Sequence, residues 1–185
     1  MKSIIKAKRV YGKNLYLRDI IEDDARFVLD LRTNPEKNRY LSATLGRLQD
    51  QVNWIVNYKS KNDQAYFIVC DKDGNKLGCI RMYDPIDDGY CWGSWLMING
   101  LSPLVAIESA LLIYAYGKYL GFNEARIDVR QANEYVWKFH EKFSSAVLVK
   151  QDDIDRYYVV SKEKIEMLLA KYSDFLSNPL LIETL

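Results

Sequence analysis

Two parts of this sequence combine residue types and spacing that could carry chemistry: a strand-to-helix junction around Ser102 and a single histidine, His140. Ser102 is a favourable N-cap residue and Pro103 suits the first position of a helix, so the sequence predicts a helix that begins at Pro103. The first N–H groups of a helix have no intrahelical partner, and the helix dipole places positive charge there. The junction is therefore a candidate phosphate site, and an ordinary connection with hydrated amides is the alternative.

An imidazole has an ordinary pKa near neutrality, so His140 is chemically suited to donate or accept a proton at working pH. The alternative is a histidine packed between a helix and the sheet, hydrogen-bonded and inert. For a general base the candidates are three acids, at positions 84, 87 and 88. Their placement around Pro85 and Gly89 is also typical of a solvated hairpin, which is the interpretation we favour.

The elements that position these residues follow from hydrophobic patterning. The segment WGSWLM (92–97) predicts a buried strand, Asn99 and Gly100 supply a turn, and Gly121 suits the left-handed end of the long apolar helix. The sequence further predicts a polar loop at 34–40, helices at 21–31, 49–58, 133–143 and 162–172, and strands at 14–18, 64–70, 76–83, 125–130, 146–150 and 156–161.

This order predicts one α/β or α+β layer domain, with a mixed, mostly antiparallel sheet and helices on both faces. A chain of 185 residues, 49% of them hydrophobic, is long enough for one sizeable core and too short for two domains. We expect a single domain over 1–185, with a core at about 14–161 and a C-terminal helix and tail at 162–185.

Composition excludes several function classes. A net charge of +1 argues against a dedicated nucleic-acid binder. Cys70, Cys79 and Cys91 are odd in number and lack metal-site spacing, so we expect reduced core thiols and no metal site. The N-terminus lacks a signal-peptide core and no apolar run approaches the ~20 residues that span a membrane. We therefore expect a soluble cytoplasmic protein, as a monomer or homodimer.

Three segments resemble the GNAT superfamily of acyl-CoA-dependent N-acyltransferases. LYLRDIIEDDA (15–25) is similar to the family's opening strand and acidic helix start, WGSWL (92–96) to its fourth strand, and NEYVWKFHEKF (133–143) to the late helix beside the CoA thiol. The resemblance covers residues 14–161. It implies an N-acetyltransferase that uses acetyl-CoA as co-substrate, and it implies cofactor contacts at Trp95, Leu96, Met97, Ser102, Leu104, Val105, Ala106, Asn133, Val136 and Phe139.

The turn into the long helix departs from the family pattern. Most members read Gln/Arg-x-x-Gly-x-Gly/Ala there, whereas this chain reads LSPLVA (101–106), in which Ala106 alone conforms. Leu104 stands where a glycine normally lets the backbone approach the CoA pyrophosphate. Either the turn or the CoA pose differs, or cofactor binding is lost.

The resemblance also implies roles in the reaction, a direct acetyl transfer through a tetrahedral oxyanion. The family often places a tyrosine seven residues after the Asn of the late helix, as general acid toward the CoA sulfur. Counted from Asn133, that position is His140, which we expect to be the general acid or a proton relay. Asn133 would contact pantetheine, cap the helix, or do both. The 95–97 strand would bind pantetheine amides, and one of its N–H groups would bind the oxyanion.

A sub-branch linked to bacterial surface polysaccharides shares AIES (106–109), Phe139-His140 and LRTNPE (31–36). That resemblance implies a nucleotide-linked amino sugar as the acceptor. Arginine would grip a diphosphate and aromatic rings would stack on base or sugar, although core or surface roles remain open for each. The candidate acceptor residues are Arg32, Tyr40, Arg81, Tyr83, Asp84 and Trp92.

Two other functions compete with this interpretation. One is a protein N-terminal or small-amine acetyltransferase, for which we expect a broad acidic or open groove. The other is a degenerate acyltransferase fold that binds a ligand or partner without chemistry, which the glycine-poor turn motivates. Titration with acetyl-CoA would separate the two enzyme functions, which require binding, from a degenerate fold that has lost it. A screen of nucleotide amino sugars against peptides would then separate the two enzymes.

Overall fold

The computed structural model describes residues 2–41 and 46–185. The strands are β1 (Ala7–Gly12), β2 (Leu15–Asp19), β3 (Ala65–Asp71), β4 (Lys76–Ile86), β5 (Gly89–Met97), β6 (Glu124–Arg130), β7 (Val147–Gln151), β8 (Asp155–Ser161) and β9 (Leu176–Thr184). The helices are α1 (Ala25–Thr33), α2 (Pro35–Asn38), α3 (Leu48–Lys59), α4 (Pro103–Tyr119), α5 (Glu134–Phe143) and α6 (Lys162–Lys171).

The strands form one nine-stranded sheet in the order β7-β8-β6-β5-β4-β3-β2-β1-β9. Neighbouring strands are antiparallel except β5 and β6, which are parallel. This pair shares only three residue pairs, Gly89 with Glu124, Tyr90 with Ala125 and Cys91 with Arg126. Beyond Cys91, β5 continues beside β4 and β6 continues beside β8, so the two strands diverge and open a gap in the sheet.

Helices cover both faces of this sheet, as the sequence predicts. Alternate residues of β3 enter different cores, Phe67 and Val69 on the face of α4 and Tyr66 and Ile68 on the face of α1 and α3. The central helix α4 is buried on all sides from Glu108 to Gly117, which fits its nearly uniform apolar sequence.

A buried carboxylate fixes the first half of α4 to the β1–β2 turn. Glu108 is 2% exposed and accepts hydrogen bonds from the backbone N–H groups of Asn14 at 2.7 Å and Leu15 at 2.9 Å. The side chain of Asn14 donates to the second oxygen at 2.9 Å. An ideal Cβ on Gly12 would lie 2.5 Å from the Glu108 carboxylate, so this close approach requires glycine.

Three elements were not predicted from the sequence. The strands β1 and β9 pair with each other and extend the sheet beyond β2, so the segments before 14 and after 172 belong to the fold. The predicted loop at 34–40 contains the one-turn helix α2, in which Asn34 caps the backbone N–H of Glu36 and Pro35 takes the first helical position. The remaining predicted helices and strands are present, with ends shifted by a few residues.

Candidate active site

A cleft of about 720 Å³ lies in the gap where β5 and β6 diverge, and we call it the β5–β6 cleft. Its walls come from the second half of β5, the second half of β6, the start of α5 and the α2 segment. The lining residues are Glu36, Lys37, Arg39, Tyr40, Leu41, Trp92, Gly93, Ser94, Trp95, Leu96, Met97, Ile127, Asp128, Val129, Arg130, Ala132, Asn133, Glu134, Tyr135, Val136 and His140.

The β5 wall of this cleft contains a β-bulge. Pairing with β4 shifts between Cys79–Leu96 and Arg81–Gly93, so two residues of β5, Ser94 and Trp95, stand opposite one residue of β4. Ser94 has a φ of 46°, a strained value for a residue other than glycine. A bulge takes its extra residue out of the sheet ladder, so main-chain groups at Ser94 and Trp95 are the candidate ligands for a substrate carbonyl. The sequence predicted this role for the strand without locating the residue.

Aromatic rings pack behind the β5 wall, on the face of the sheet that carries α4. The ring of Trp92 lies 5.6 Å from that of Trp95 and 5.1 Å from the imidazole of His140, measured between centroids. Trp95 also contacts Phe139 at 5.3 Å and donates from its indole N–H to Ser109 Oγ at 3.1 Å. Trp92 is 1% exposed, so its ring forms the floor of the cleft and offers little surface to stack on an acceptor.

His140 is 2% exposed within this aromatic cluster. Burial lowers the pKa of its imidazole from the ordinary value of 6.5 to about 3, since no neighbouring acid compensates. Among the residues that the structure describes, His140 Nδ1 has no hydrogen-bond partner. The imidazole is therefore neutral at pH 7, so it is suited to relay a proton rather than to hold one ready as an imidazolium acid.

The start of α5 brings two more predicted cofactor residues to the cleft. Asn133 stands at the N-cap position of α5, and its side chain makes no capping hydrogen bond. Its carbonyl accepts instead from the backbone N–H groups of Val136 at 3.1 Å and Trp137 at 3.3 Å. Asn133 and Val136 line the cleft together with Leu96 and Met97 of β5. The side-chain amide of Asn133 is therefore available to a ligand.

The first turn of α4 follows β5 and lies outside the cleft lining. As predicted, Ser102 is the N-cap and the helix begins at Pro103. The Ser102 side chain accepts from the backbone N–H of Leu104 at 3.3 Å, and its carbonyl accepts from Val105 N–H at 3.0 Å. Because Pro103 has no N–H, Leu104 and Val105 carry the first amides of this turn, and both of them already bond to Ser102. Leu104 is 55% exposed and Val105 and Ala106 are half-buried, so the turn remains open to an anion that displaces the weak cap bond.

Three predicted acceptor residues, Arg81, Tyr83 and Asp84, belong to β4 and lie outside the cleft lining, and the alternation of β4 places Arg81 and Tyr83 on the face of the sheet opposite to α4. Arg81 donates from Nε to Gln64 Oε1 at 2.7 Å, and its guanidinium lies 4.8 Å from the centroid of the Tyr83 ring. The Tyr83 hydroxyl lies over the cleft strand, because an ideal Cβ on Gly93 would be 3.1 Å from it. Asp84 follows with a φ of 48° at the next irregularity of β4.

The α2 segment closes one end of the cleft and carries two cations. The guanidinium of Arg39 lies 4.6 Å from the centroid of the Tyr40 ring, and both residues line the cleft. Lys37 donates to the side chain of Asn99, which in turn donates to Glu36 at 3.1 Å. These bonds tie α2 to the turn before α4. Arg32, at the end of α1, lies near the buried Tyr66 and Cys79, on whose pKa values its charge acts.

Several titratable residues of the cleft lining were not predicted from the sequence, and Asp128 is one of them. It lies in the middle of β6, where charged residues alternate with buried ones, so the pattern resembled an ordinary half-exposed strand. Desolvation by the surrounding protein, followed by the charges of Asp155 and Asp84, raises the pKa of the Asp128 carboxyl above its usual value. The feature of the sequence that could have indicated Asp128 is its place in the strand that follows the central helix.

The cleft, the bulge and the open parallel pair define an acyltransferase architecture, and comparison with known proteins agrees. The acetyltransferase (GNAT) domain family matches residues 14–144. The chain belongs to this family and is an N-acetyltransferase. GNAT enzymes take the acetyl group from acetyl-CoA. No curated protein sequence matches the chain at a significant level.

Solved structures extend this result. A structure described as apo FdhC, a nucleotide-linked sugar GNAT, is 34% identical, with a TM-score of 0.82 over 91% of this chain and 98% of that chain. A GCN5-related N-acetyltransferase from Brucella melitensis is 15% identical, with a TM-score of 0.76 over 93% of this chain and 87% of that chain. A spermidine N-acetyltransferase from Vibrio cholerae, in complex with CoA and spermine, is 14% identical, with a TM-score of 0.73 over 83% of this chain and 98% of that chain. The last two show the fold alone.

Among the described residues no helix is long and apolar enough to cross a bilayer. Within the same part of the chain, no three His, Cys, Asp or Glu residues are grouped so as to hold a metal ion. Cys70, Cys79 and Cys91 are buried free thiols, as the sequence predicts.

Proposed function

We propose that this protein transfers the acetyl group of acetyl-CoA to the amine of a nucleotide-linked amino sugar, as a cytoplasmic enzyme that acts as a monomer or homodimer. The observation that carries the proposal is the 34% identity, over nearly the whole chain, to a structure described as a nucleotide-linked sugar GNAT. The α2 end of the cleft supports it, because Lys37 and Arg39 place positive charge there and no carboxylate pairs with either among the described residues.

Acetyl-CoA would supply the activated acetyl thioester, and the residues on the α4 and α5 side of the cleft fit it. The orphaned side-chain amide of Asn133, with the main chain of Trp95, Leu96 and Met97, would hold pantetheine in the manner of an added strand. The first turn of α4, at Ser102, Leu104, Val105 and Ala106, would hold the pyrophosphate. Val136 and Phe139 would pack beside the thiol end, where neutral His140 would relay a proton.

The acceptor would approach from the opposite face of the sheet. The guanidinium of Arg39 would bind the diphosphate, and the Tyr40 ring beneath it would support a base or sugar. Arg81, Tyr83 and Asp84 would surround the sugar near Gly93, with Arg32 behind them. This arrangement brings the amine to the bulge from one side while the thioester reaches it from the other.

A small-amine acceptor is the second candidate, since Asp84 and Asp128 place negative charge on the acceptor face. A polyamine would use these acids, but it would also meet the cations of α2. The two candidates therefore differ in the role that they give to Arg39.

The test measures the rate at which the full chain releases the CoA thiol from acetyl-CoA. The acceptors compared are a nucleotide-linked amino sugar, the free amino sugar and spermidine. We expect kcat/KM to be at least tenfold higher for the nucleotide-linked sugar. Arg39→Ala should remove most of this preference by raising KM, because the diphosphate loses a charge-assisted contact worth about 1.5–3 kcal/mol. Arg26→Ala, an exposed arginine of α1, is the matched control. Spermidine as the preferred acceptor, with Arg39→Ala unchanged or faster, would refute the proposal.

A further inference from the structure

Asp128 lies across the opening of the sheet from the bulge of β5. The last pair between the two strands is Cys91 with Arg126, so Gly93 and Asp128 each lie two residues further on, about 7 Å along the diverging strands, and both line the cleft. Ser94 begins the bulge at the next position. A substrate carbonyl bound at the bulge would therefore be attacked next to Asp128.

The Asp128 side chain points to the acceptor face of the sheet. Its strand neighbours Ile127 and Val129 are buried in the core under α4, so the alternate residues Arg126, Asp128 and Arg130 belong to the other face. The charge of Asp128 acts on Tyr83 of β4 and on Cys91 of β5, which confirms that these side chains share one environment. Burial and the nearby acids raise the pKa of Cys91 to about 12, so this thiol stays neutral.

The charged neighbours of Asp128 are engaged elsewhere. Arg126 pairs with Glu124 at 2.7 Å and Arg130 pairs with Asp155 at 2.8 Å. Across the pair with β8, the hydroxyl of Tyr157 donates to Asp152 at 2.9 Å. On β4, Asp84 adds a second negative charge. Within residues 2–41 and 46–185, the Asp128 carboxylate has no hydrogen bond and no ion pair of its own.

We propose that Asp128 is the general base that takes the proton from the acceptor ammonium, an inference that rests on the proposed acetyl transfer but not on the identity of the amine. Asp128 is an unpaired carboxylate in the cleft, on the acceptor face and opposite the bulge. Its raised proton affinity suits the task, because a base works best when its pKa approaches the working pH.

The step balances as follows. The acceptor enters as an ammonium, and one of its protons passes to the Asp128 carboxylate, directly or through one water. The freed nitrogen lone pair forms the C–N bond with the acetyl carbon and gives the tetrahedral oxyanion, whose collapse breaks the C–S bond. A second N–H proton passes to the departing sulfur, for which neutral His140 on the other face is the relay. The products are the amide, the CoA thiol and a protonated Asp128, which returns its proton to solvent.

The experiment compares wild type, Asp128→Asn, Asp128→Glu and the surface control Asp153→Asn, with whichever amine the wild type acetylates. Acetyl-CoA affinity is measured by calorimetry and kcat/KM is measured from pH 5 to 9.5. We expect Asp128→Asn to lower kcat about 10²-fold or more at pH 7, with acetyl-CoA affinity unchanged within about twofold. The loss should shrink as the pH rises toward 9.5, because a growing fraction of the amine is then already neutral, and Asp128→Glu should recover part of the activity.

The outcomes are separable. If Asp128→Asn stays within threefold of wild type at pH 7, or loses the same factor at every pH, the base assignment is wrong while the acetyltransferase function stands. If the wild type binds no acetyl-CoA or acetylates no amine, the proposed function fails and the base assignment fails with it. Asp153→Asn should behave as wild type in every measurement.

Discussion

At the scale of single residues, the site separates its two titratable groups on opposite faces of the sheet. His140 is enclosed by aromatic rings on the face of α4 and α5, where burial favours the neutral imidazole. Asp128 lies on the acceptor face among other acids, where the protonated carboxyl is favoured more than usual. The two pKa shifts have opposite chemical consequences. The lowered pKa prevents His140 from holding a proton, whereas the raised pKa helps Asp128 to take one.

His140 should not titrate in the physiological range. With a folded pKa of about 3 against an ordinary value near 6.5, the imidazole stays neutral from pH 5 to 8. Because it is the only histidine, the NMR signals of its ring in a tag-free protein are unambiguous. We expect constant ring chemical shifts across this range. A titration centred near pH 6.5 would show that the imidazole reaches solvent or an acid, and the relay role would have to be replaced by that of a stored proton.

The lowered pKa of His140 also makes the free energy of unfolding depend on pH. Above about pH 6.5 both folded and unfolded chains carry a neutral His140, so it contributes no pH dependence. Below that pH the unfolded chain binds a proton that the folded chain refuses. Stability should therefore fall by about 1.4 kcal/mol per pH unit from this group between pH 6.5 and 3.

At the scale of elements, the central helix α4 is held by contacts that tolerate little change. Gly117 lies against the ring of Tyr90, and an ideal Cβ there would come within 2.4 Å of ring atoms. Tyr90 in turn donates to the carbonyl of Ile113 at 3.2 Å. The helix and the strand β5 therefore meet at a glycine, next to the point where β5 and β6 diverge.

Gly117→Ala should reverse the usual effect of this substitution. In an exposed helix, alanine is about 1 kcal/mol more favourable than glycine. Here we expect a loss of about 1–3 kcal/mol of unfolding free energy, because the added methyl group forces the Tyr90 ring and β5 to move. Denaturant unfolding measures the difference, with Lys118→Ala on the exposed side of the same helix as the control. A stabilised Gly117→Ala protein would mean that the helix and β5 pack less closely than described.

Local signals predicted some elements well and others not at all. Ser102 with Pro103, and Gly121, carry their own cap chemistry, so both ends of α4 are confirmed. The strand β9 contains Asn178 and Pro179, which indicate a turn, and is ordered by pairing with β1 and by the Tyr11–Glu183 hydrogen bond at 2.6 Å. Such long-range pairing leaves no local pattern.

At the scale of the whole molecule, the opening between β5 and β6 determines which residues meet. Trp95 of β5 lines this opening together with Asn133, Val136 and His140 of the α5 segment, and the roles that the family resemblance implies for them stay predictions. The α2 cations and Asp128 join them only because the sheet opens at Cys91 and Arg126, a feature of register that composition does not encode. Asp128 was therefore missed, while Trp92, expected at the acceptor, is buried as the cleft floor.

In the proposed function, each substrate has its own face of the sheet. Acetyl-CoA would lie along β5 toward α4 and α5, and the acceptor would lie under α2 and β4, so both reach the bulge without crossing. Acceptor choice would then depend on the α2 end of the cleft, where the charges of Lys37 and Arg39 would favour an anionic ligand. The cations at the α2 end and the acids of the acceptor face would together select a sugar that carries both an amine and a diphosphate.

The most direct test of this claim is a competition. The wild-type protein is incubated with acetyl-CoA and an equimolar mixture of a nucleotide-linked amino sugar and spermidine, and the initial products are quantified by mass spectrometry. We expect the acetylated nucleotide sugar to exceed acetylspermidine at least tenfold. An excess of acetylspermidine would contradict this claim and would assign the acids of the acceptor face to a polyamine.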